Sequence, residues 1–402
     1  MRILWVKIGG LWPLNMGGRL RSFHTIAELA KRHQVTVLTT HGSSDDPAGL
    51  ADQLKTCERV ISIPYAIPKV GSARFAAALL RSWLSPYPVD LWKCRVPALR
   101  RQVHEAVAAG MDVCVADFLA AGPNVSWGGP TPTILFEHNV EYMIWKRLHA
   151  VERRAWRRIL LDVEWRRMRR YEARACCLAS RTIAVSEADR ALLAVGAPDA
   201  DIQAIPTGVD TTYFHPNGTA ETPTQLVFTG SMDWYPNEDA IMHFMDTTLP
   251  EIRRRVPGVT LAVVGRNPSE RMKKAGAAIG AQITGTVADV RPYVTSAAVV
   301  VVPLRIGGGT RLKIFEALAM EKAVVSTSVG AEGLPVVPGE HFVQADGPAE
   351  FAQAVVTLLQ DAPRRRSLGE AGRRLVEGRY SWEQIGREFE RHCEQVVASH
   401  AR

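Results

Sequence analysis

The densest cluster of chemically useful residues in this sequence is a glycine-rich run between a predicted buried strand and a predicted helix. Gly307, Gly308 and Gly309 form the run, and Lys313 and Glu316 follow it on one face of the helix. Glycines let a ligand approach the backbone closely, and the free N–H groups at a helix start favour an anion. The Lys313 cation suits the diphosphate of a nucleotide, and the Glu316 carboxylate suits its ribose hydroxyls. The run predicts a nucleotide phosphate site. A glycine turn followed by a helix with a surface salt bridge explains the same residues equally well.

Two weaker signals follow predicted strands nearer the N-terminus. Gly17 and Gly18 end the first strand-to-helix loop, and His138 belongs to a polar segment that follows the strand beginning at Thr133. Ligands of open α/β sheets bind beyond the carboxyl ends of the strands, which is where both signals fall. The glycine pair is not the GxGxxG motif of a dinucleotide site, and a histidine in such a place is more often a structural hydrogen-bonding residue than a catalyst.

Strands that alternate with helices along most of the chain must position these residues. Such alternation is typical of a parallel sheet covered on both faces. A polar stretch, residues 215–224, interrupts the pattern, which restarts with a strand at Leu226. We therefore predict an α/β protein of two Rossmann-like, doubly wound domains, residues 1–210 and 225–381, facing a central cleft. The last helix, residues 382–402, is expected to pack back on the first domain.

Composition excludes several classes of protein. The chain has 402 residues, of which 47% are hydrophobic and 22% charged, so it is neither disordered nor collagen-like. Its six cysteines form no CxxC pair, and the DxD motif at residues 199–201 precedes its strand, at the wrong edge of the sheet for a ligand. The longest strongly apolar stretch, residues 297–302, is too short to span a membrane. We expect a cytoplasmic protein without a metal site.

The net charge of +8 is concentrated in residues 146–174, which contain 11 basic and 4 acidic side chains. One interpretation is a core helix over residues 156–179 with a solvated arginine face. The other is a patch drawn to anionic lipid, with Trp145, Trp156 and Trp165 as anchors. Nucleic-acid binding through the same arginines is not expected, because no RNA or DNA module accompanies them. The inward face of the helix is predicted to hold Leu161, Trp165, Met168, Tyr171, Ala175 and Leu178.

Ordered motifs along nearly the whole chain resemble the family 4-type glycosyltransferases, a retaining group with the GT-B fold. The motifs lie at residues 17–18, 137–139, 185–189, 205–210 with 214, 228–230, 263–265, 284–285, 315–320 and 323–325. The resemblance implies that a sugar moves with retention from a UDP- or GDP-sugar to a glycan or lipid-linked acceptor, in cell-surface polysaccharide or glycolipid biosynthesis. It implies no cofactor besides the donor, and a cytoplasmic protein that can lie at the inner membrane face.

The resemblance also assigns roles to individual residues. His138, Arg311 and Lys313 become the catalytic candidates. The donor-binding candidates are Gly17, Gly18, Gly230, Gly307, Gly308, Gly309, Thr310 and Glu316. Two departures from the family pattern bear on activity: Gly308 stands where the family has the first of two glutamates separated by seven residues, and the loop after Thr229 lacks the usual arginine and lysine. An inactive GT-B subunit or scaffold is therefore the alternative to an enzyme.

Overall fold

The computed structural model describes residues 1–14, 16–69, 71–306 and 312–400. The chain divides into two compact units, Met1–Pro206 together with Ile385–Arg402, and Thr207–Gln384. The polar stretch at residues 215–224, which separates the two predicted domains, thus falls inside the second unit. The last helix, Trp382–His400, begins in the second unit and contributes most of its length to the first.

The first unit is built on a seven-stranded sheet in which all neighbouring strands are parallel, in the order β3-β2-β1-β4-β5-β6-β7. Its strands are β1 Arg2–Lys7, β2 Gln34–His41, β3 Arg59–Pro64, β4 Val113–Asp117, β5 Thr133–Phe136, β6 Arg181–Ala184 and β7 Ile202–Ala204. Its helices are α1 Gly17–Ala30, α2 Pro47–Gln53, α3 Ala73–Trp83, α4 Val89–Trp92, α5 Pro97–Ala108, α6 Glu141–Val151, α7 Ala155–Leu178 and α8 Glu187–Gly196, with a 3-10 turn at Leu119–Asn124.

The second unit has a six-stranded parallel sheet in the order β10-β9-β8-β11-β12-β13. Its strands are β8 Thr222–Thr229, β9 Thr260–Val264, β10 Gln282–Ile283, β11 Ala297–Val302, β12 Ala323–Ser326 and β13 Val343–Gln344. Its helices are α9 Tyr235–His243, α10 Leu249–Arg255, α11 Glu270–Ala278, α12 Arg291–Ser296, α13 Leu312–Ala319, α14 Ser328–Ala331, α15 Pro348–Gln360 and α16 Ala362–Arg379, before α17 Trp382–His400.

Both sheets are central layers, which explains their composition. Every residue of β11 is buried, and so is every residue of β4. Strands covered on both faces need continuous apolar runs instead of alternation, and these two strands have them. In the first unit Trp5, Phe136 and Phe389 of α17 pack with ring centroids 5.0–5.5 Å apart. The predicted two-domain α/β architecture is confirmed.

In each sheet the strand order reverses direction at one place, and that place is where an open α/β sheet binds its ligand. The reversal lies between β1 and β4 in the first unit and between β8 and β11 in the second. Polar or glycine residues end or follow these strands: Lys7 ends β1, Asp117 ends β4, and Gly230 follows β8.

Sequence patterns missed part of the fold. They predicted no element between residues 41 and 111, where the structure has β3 and four helices, α2–α5. They also predicted one helix over residues 237–255, which a π-helical turn at Phe244–Thr248 divides into α9 and α10. Pro250 accounts for the division, because it lacks the N–H of a regular helix and its ring collides with the carbonyl four residues earlier. As predicted for the DxD motif, Asp201 precedes β7, and its carboxylate forms an ion pair with Arg181.

Candidate functional site

At the switch point of the first unit, a buried ion pair joins the ends of β1 and β4. The Nζ of Lys7 lies 3.2 Å from Oδ2 of Asp117 and donates a hydrogen bond to Ser22 Oγ at 3.0 Å. The same Oδ2 accepts a hydrogen bond from Trp5 Nε1 at 2.8 Å. Burial alone would raise the pKa of Asp117, but the Lys7 ammonium and the His138 ring hold it below its usual range. Asp117 is therefore a carboxylate, and it serves as the fixed acceptor of this cluster.

His138 is held by this carboxylate in one tautomer. Its Nε2 lies 2.8 Å from Oδ1 of Asp117, and its ring stacks on Phe118 with centroids 3.8 Å apart. Burial lowers the pKa of His138 to about 3, so the ring is neutral at physiological pH. Because an ionised carboxylate only accepts hydrogen bonds, Nε2 carries the proton and Nδ1 is an acceptor. Such a ring suits a ligand hydroxyl that donates to Nδ1.

Phe118 adopts a left-handed backbone conformation, with φ of +66°. Strain of this kind costs on the order of 1–3 kcal/mol in a residue with a side chain and gathers at functional sites. In this conformation the Phe118 ring contacts both the His138 ring and the Lys7 ammonium, which lies 4.1 Å from the ring centroid.

The predicted glycine pair lies at the start of α1, beside this cluster. Gly17 is the first residue of the helix. A Cβ on Gly18 would lie 2.5 Å from Cζ of Phe118, so the glycine makes room for the ring that stacks on His138. This close approach gives Gly18 a packing role, whether or not a ligand also lies near it.

Arg21, one helical turn further on, is a buried framework residue that sequence reasoning missed. Its guanidinium donates hydrogen bonds to the carbonyl oxygens of Glu137 and Ile205, each at 2.6 Å, and lies 4.1 Å from the Phe136 ring centroid. Burial lowers its pKa to about 9. Arg21 ties together the carboxyl ends of several strands at the edge where His138 lies.

Glu137 is the least satisfied side chain of this edge. It is 1% exposed, and among the described residues neither carboxyl oxygen has a hydrogen-bond partner. Burial, followed by the charges of Glu172 and Glu141, raises its pKa well above the usual range, which favours the neutral acid. Glu172 is itself buried, and it accepts hydrogen bonds from the N–H groups of Glu141 and Tyr142 at the start of α6.

At the switch point of the second unit, a lysine side chain reaches the loop that follows β8. Lys313 Nζ donates a hydrogen bond to Asn237 Oδ1 at 2.8 Å and lies 4.1 Å from the Phe228 ring centroid. A Cβ on Gly230 would come within 2.9 Å of the same Nζ. The ammonium is thus held close to the backbone of Gly230, where no side chain separates the two.

A second cation at this edge was missed from the sequence. Arg266 follows β9 and donates a hydrogen bond from Nε to Ser231 Oγ at 2.6 Å. The two loops touch through glycines, since a Cβ on Gly265 would overlap the carbonyl oxygen of Gly230 at 1.6 Å. The signal was a charged residue directly after a buried strand, Val263-Val264-Gly265-Arg266. Arg266 and Lys313 supply positive charge where the family's usual arginine and lysine are lacking.

Glu316 lies one helical turn beyond Lys313, on α13. Burial raises its pKa to about 7, and the Lys313 charge opposes that rise. Its carboxyl group has no hydrogen-bond partner among the described residues. Near neutral pH it can therefore accept hydrogen bonds from ligand hydroxyls, through its carbonyl oxygen as the neutral acid or through both oxygens as the carboxylate.

The remaining predicted site residues lie outside the described residues, namely Gly307, Gly308, Gly309, Thr310 and Arg311. The structure brings Gly230, Lys313 and Glu316 to one edge of the second unit, and Gly17, Gly18 and His138 to one edge of the first. Across residues 1–14, 16–69, 71–306 and 312–400, no three His, Cys, Asp or Glu side chains lie together as a metal site would require.

The basic stretch, residues 146–174, forms the second half of α6 and all but the last four residues of the following helix, α7. The buried face of α7 consists of Glu164, Met168, Glu172, Ala175 and Cys176. Of the six residues predicted to face inward, only Met168 and Ala175 are fully buried. Glu164 and Glu172 take inward positions instead, because their carboxylates accept hydrogen bonds from main-chain N–H groups. Trp156 is 59% exposed, whereas Trp145 and Trp165 are partly buried, so Trp156 is the sole exposed ring among the three predicted anchors.

None of the helices in the described part of the chain combines the length and the apolar character needed to cross a bilayer.

Two family models match the chain. Glycosyltransferase Family 4 matches residues 17–213, and Glycosyl transferases group 1 matches residues 223–361. Among curated relatives, a GDP-mannose-dependent alpha-(1-6)-phosphatidylinositol monomannoside mannosyltransferase of Mycobacterium tuberculosis is 29% identical over an alignment of 214 positions. The alignment covers 47% of this chain and 54% of the relative. An uncharacterized 44.6 kDa protein in the cps region of Klebsiella pneumoniae is 24% identical over 34% of this chain and 37% of its own. The chain therefore matches about half the length of the mannosyltransferase.

Solved structures share the fold over nearly the whole chain. HepE of Anabaena in complex with UDP has a TM-score of 0.64 at 14% identity, covering 98% of this chain and 100% of its own. Sucrose-phosphate synthase of Thermosynechococcus elongatus has a TM-score of 0.66 at 16% identity, with 98% and 99% covered. These likenesses establish the GT-B fold. With the two family models, they show that the chain belongs to the group 1 glycosyltransferases of the GT-B fold.

Proposed function

We propose that this chain transfers a sugar, with retention, from a nucleotide-sugar donor to a glycan or lipid-linked acceptor in polysaccharide or glycolipid synthesis. One observation carries the proposal: the Lys313 ammonium is fixed against the Gly230 backbone at the switch point of the second unit, with Glu316 one turn beyond it. That arrangement offers a cation for a diphosphate and a carboxyl group for ribose hydroxyls. The GDP-mannose dependence of the mannosyltransferase relative and the UDP complex of HepE support the same donor chemistry.

In the proposed reaction, the bond between the anomeric carbon and the diphosphate oxygen breaks, and a bond from an acceptor hydroxyl oxygen to that carbon forms on the same face. The hydroxyl proton passes to the leaving phosphate. Lys313 and Arg266 stabilise the negative charge that develops on the diphosphate, and they are already held by Asn237 and Ser231 before the donor arrives. In this proposal these cations, with Arg311, take the part that a metal ion takes in other transferases.

His138 has a positioning part in this proposal. Its neutral ring, locked by Asp117, presents Nδ1 as a hydrogen-bond acceptor for a sugar hydroxyl. A ring with this tautomer orients a substrate without adding charge. The retaining course and the cytoplasmic location are carried over from the family resemblance.

A thermal-shift screen against UDP, GDP, ADP and TDP tests the donor proposal. A ligand at about a hundred times its dissociation constant stabilises the folded protein by roughly 2.7 kcal/mol, so UDP or GDP should raise the melting temperature while the other two have little effect. A flat response to all four would contradict a donor site. Specific binding without turnover of the matching nucleotide sugars would favour the inactive subunit.

We also propose that helices α6 and α7 can meet an anionic membrane surface. Trp156 and Ile159 are 59% and 66% exposed, and they lie among Arg153, Arg154 and Arg157. Exposed apolar side chains between arginines suit the boundary between head groups and acyl chains. A lipid-linked acceptor would explain why an enzyme carries such a surface. The test is flotation with vesicles that contain or lack phosphatidylglycerol: binding should require the anionic lipid, and equal binding to neutral vesicles would contradict the proposal.

A further inference from the structure

The first unit contains a cavity of about 490 Å³ that lies apart from the His138 cluster. Its walls come from the residues after β3, from α3, from the segment between α4 and α5, and from the 3-10 turn after β4. Neither His138 nor the Lys7–Asp117 pair lines it. The cavity falls in the part of the chain where sequence patterns predicted no element.

The cavity is lined by cations and by no carboxylate. Arg74, Arg81, Lys93, Arg95 and Arg100 all contribute to its lining, which includes no Asp or Glu. Lys93 pairs with a carboxylate outside the lining, at Asp90. Among the described residues, the other four have no ion pair.

Four unpaired guanidinium groups around one concave space repel one another. Arg74, Arg81 and Arg100 are exposed at the rim and Arg95 is partly buried, and no carboxylate in the lining balances their charge. An anion in the cavity would supply the missing counter-charge, and guanidinium groups bind phosphate oxygens through paired N–H donors.

Two of the arginines are spaced to act together. Arg74 and Arg81 are seven residues apart on α3, so they lie two turns apart on one face, and the small side chains of Ala77 and Ala78 leave room between them. The guanidinium of Arg95 is held over the Trp92 ring, 4.3 Å from its centroid. Arg95 therefore loses little side-chain freedom when it binds an anion.

The floor of the cavity is fixed by a buried asparagine. Asn124 is 1% exposed, its Oδ1 accepts a hydrogen bond from the N–H of Val96 and its Nδ2 donates one to the carbonyl of Cys94, both at 2.8 Å. These bonds hold the Cys94–Val96 segment that carries Arg95. Trp92, Val96 and Pro97 add apolar surface to the same wall.

We propose that this cavity binds a phosphate ester, with the phosphate among Arg74, Arg81, Arg95 and Arg100 and an apolar portion on the Trp92 side. Two sources of such a group are a soluble phosphate ester and a phospholipid head group. Exposed Leu80, Trp83 and Leu84, at 64%, 47% and 92%, flank Arg81 at the C-terminal end of α3, which makes a lipid source compatible with the site. The site itself does not depend on the proposed sugar transfer.

Calorimetric titration with glycerol 3-phosphate and flotation with phosphatidic acid vesicles test the proposal on the full chain. The variant is Arg74→Ala with Arg81→Ala, and the matched control, Lys55→Ala with Arg190→Ala, removes the same charge from two exposed surface pairs of the first unit. Loss of two charge-assisted contacts should weaken binding at least about tenfold, while the control binds as the wild type does.

Each outcome of this experiment decides something. Binding of glycerol 3-phosphate that the cavity variant loses supports a site for soluble esters, and loss confined to phosphatidic acid vesicles supports a site for lipid head groups. Equal binding of both probes by wild type, variant and control, or no binding of either probe, would overturn the proposal. Circular dichroism checks that the variants are folded. Because the readout is phosphate-ester binding, a failed nucleotide screen would leave this result unaffected.

Discussion

Replacing Lys313 with alanine should weaken the binding of the preferred nucleoside diphosphate without unfolding the second unit. Within the described part of the chain, Lys313 Nζ donates a hydrogen bond to Asn237 Oδ1 and lies over the face of the Phe228 ring. Both contacts hold the ammonium beside the Gly230 backbone, where the diphosphate is proposed to bind. The variant removes that cation and leaves the Gly230 loop its hydrogen bond from Asn237 Nδ2 to the Ser231 carbonyl.

The expected loss follows from the kind of contact removed. A hydrogen bond to a charged group contributes about 1.5–3 kcal/mol. Since about 1.4 kcal/mol corresponds to a factor of ten, the dissociation constant should rise by roughly 10- to 150-fold. The loss should be larger for turnover than for binding, because the diphosphate gains negative charge as it leaves.

Isothermal titration of UDP and GDP into wild type, Lys313→Ala and Lys313→Arg measures this loss. Lys273→Ala is the matched control, since Lys273 is 51% exposed, pairs with Glu270 and lies on another helix of the same unit. The arginine variant should retain part of the affinity, and the control should retain all of it. If Lys313→Ala binds the diphosphate as tightly as wild type while both proteins are folded, the phosphate assignment at Gly230 is wrong.

Four further outcomes are expected. Wild type should lose stability as the pH rises from the ordinary carboxyl pKa through about 7, because the folded state holds the Glu316 proton more tightly than the unfolded chain does. The Glu316→Gln variant should lack this loss. Urea unfolding at pH 5 and pH 8 measures the difference, and the same pH dependence in variant and wild type would contradict the prediction. Gly18→Ala should cost about 1–3 kcal/mol of unfolding free energy through collision with a neighbouring ring, whereas Gly378→Ala, in an open helical position, should be neutral or gain up to about 1 kcal/mol. The ring nitrogens of ¹⁵N-labelled His138 should not titrate between pH 5 and 8, and a midpoint in that interval would refute the neutral ring. Trp156→Ala should weaken flotation with phosphatidylglycerol vesicles at least about fivefold, and unchanged flotation would exclude that side chain as an anchor.

The sequence was most informative where apolar runs and glycine loops are local features. Apolar runs predict strands at residues 260–264 and 299–303, and the structure has β9 at Thr260–Val264 and β11 at Ala297–Val302, because a strand buried on both faces is a continuous apolar run. The positions of Lys313 and Glu316 were predicted from helical spacing, which needs no tertiary information.

The residues that sequence reasoning missed depend on long-range contacts. Asp117 and Lys7 form one ion pair across 110 positions of sequence, and the arginine cavity draws on elements from Tyr65 to Asn124. The inward face of α7 was misjudged for a related reason: Glu164 is buried because it accepts a hydrogen bond from the Val89 N–H, a partner that periodicity does not contain. A buried carboxylate looks exposed until its donors are known.

The most direct test of the central claim is turnover of labelled nucleotide sugars by the purified chain in the presence of a membrane lipid and glycan extract. The account predicts that one UDP- or GDP-sugar releases its nucleoside diphosphate, that the labelled sugar appears in an acceptor with retained configuration, and that Lys313→Ala loses this turnover while Lys273→Ala keeps it. If no UDP- or GDP-sugar is consumed by a folded protein under these conditions, or if the Lys313→Ala variant transfers sugar at the wild-type rate, the account is contradicted.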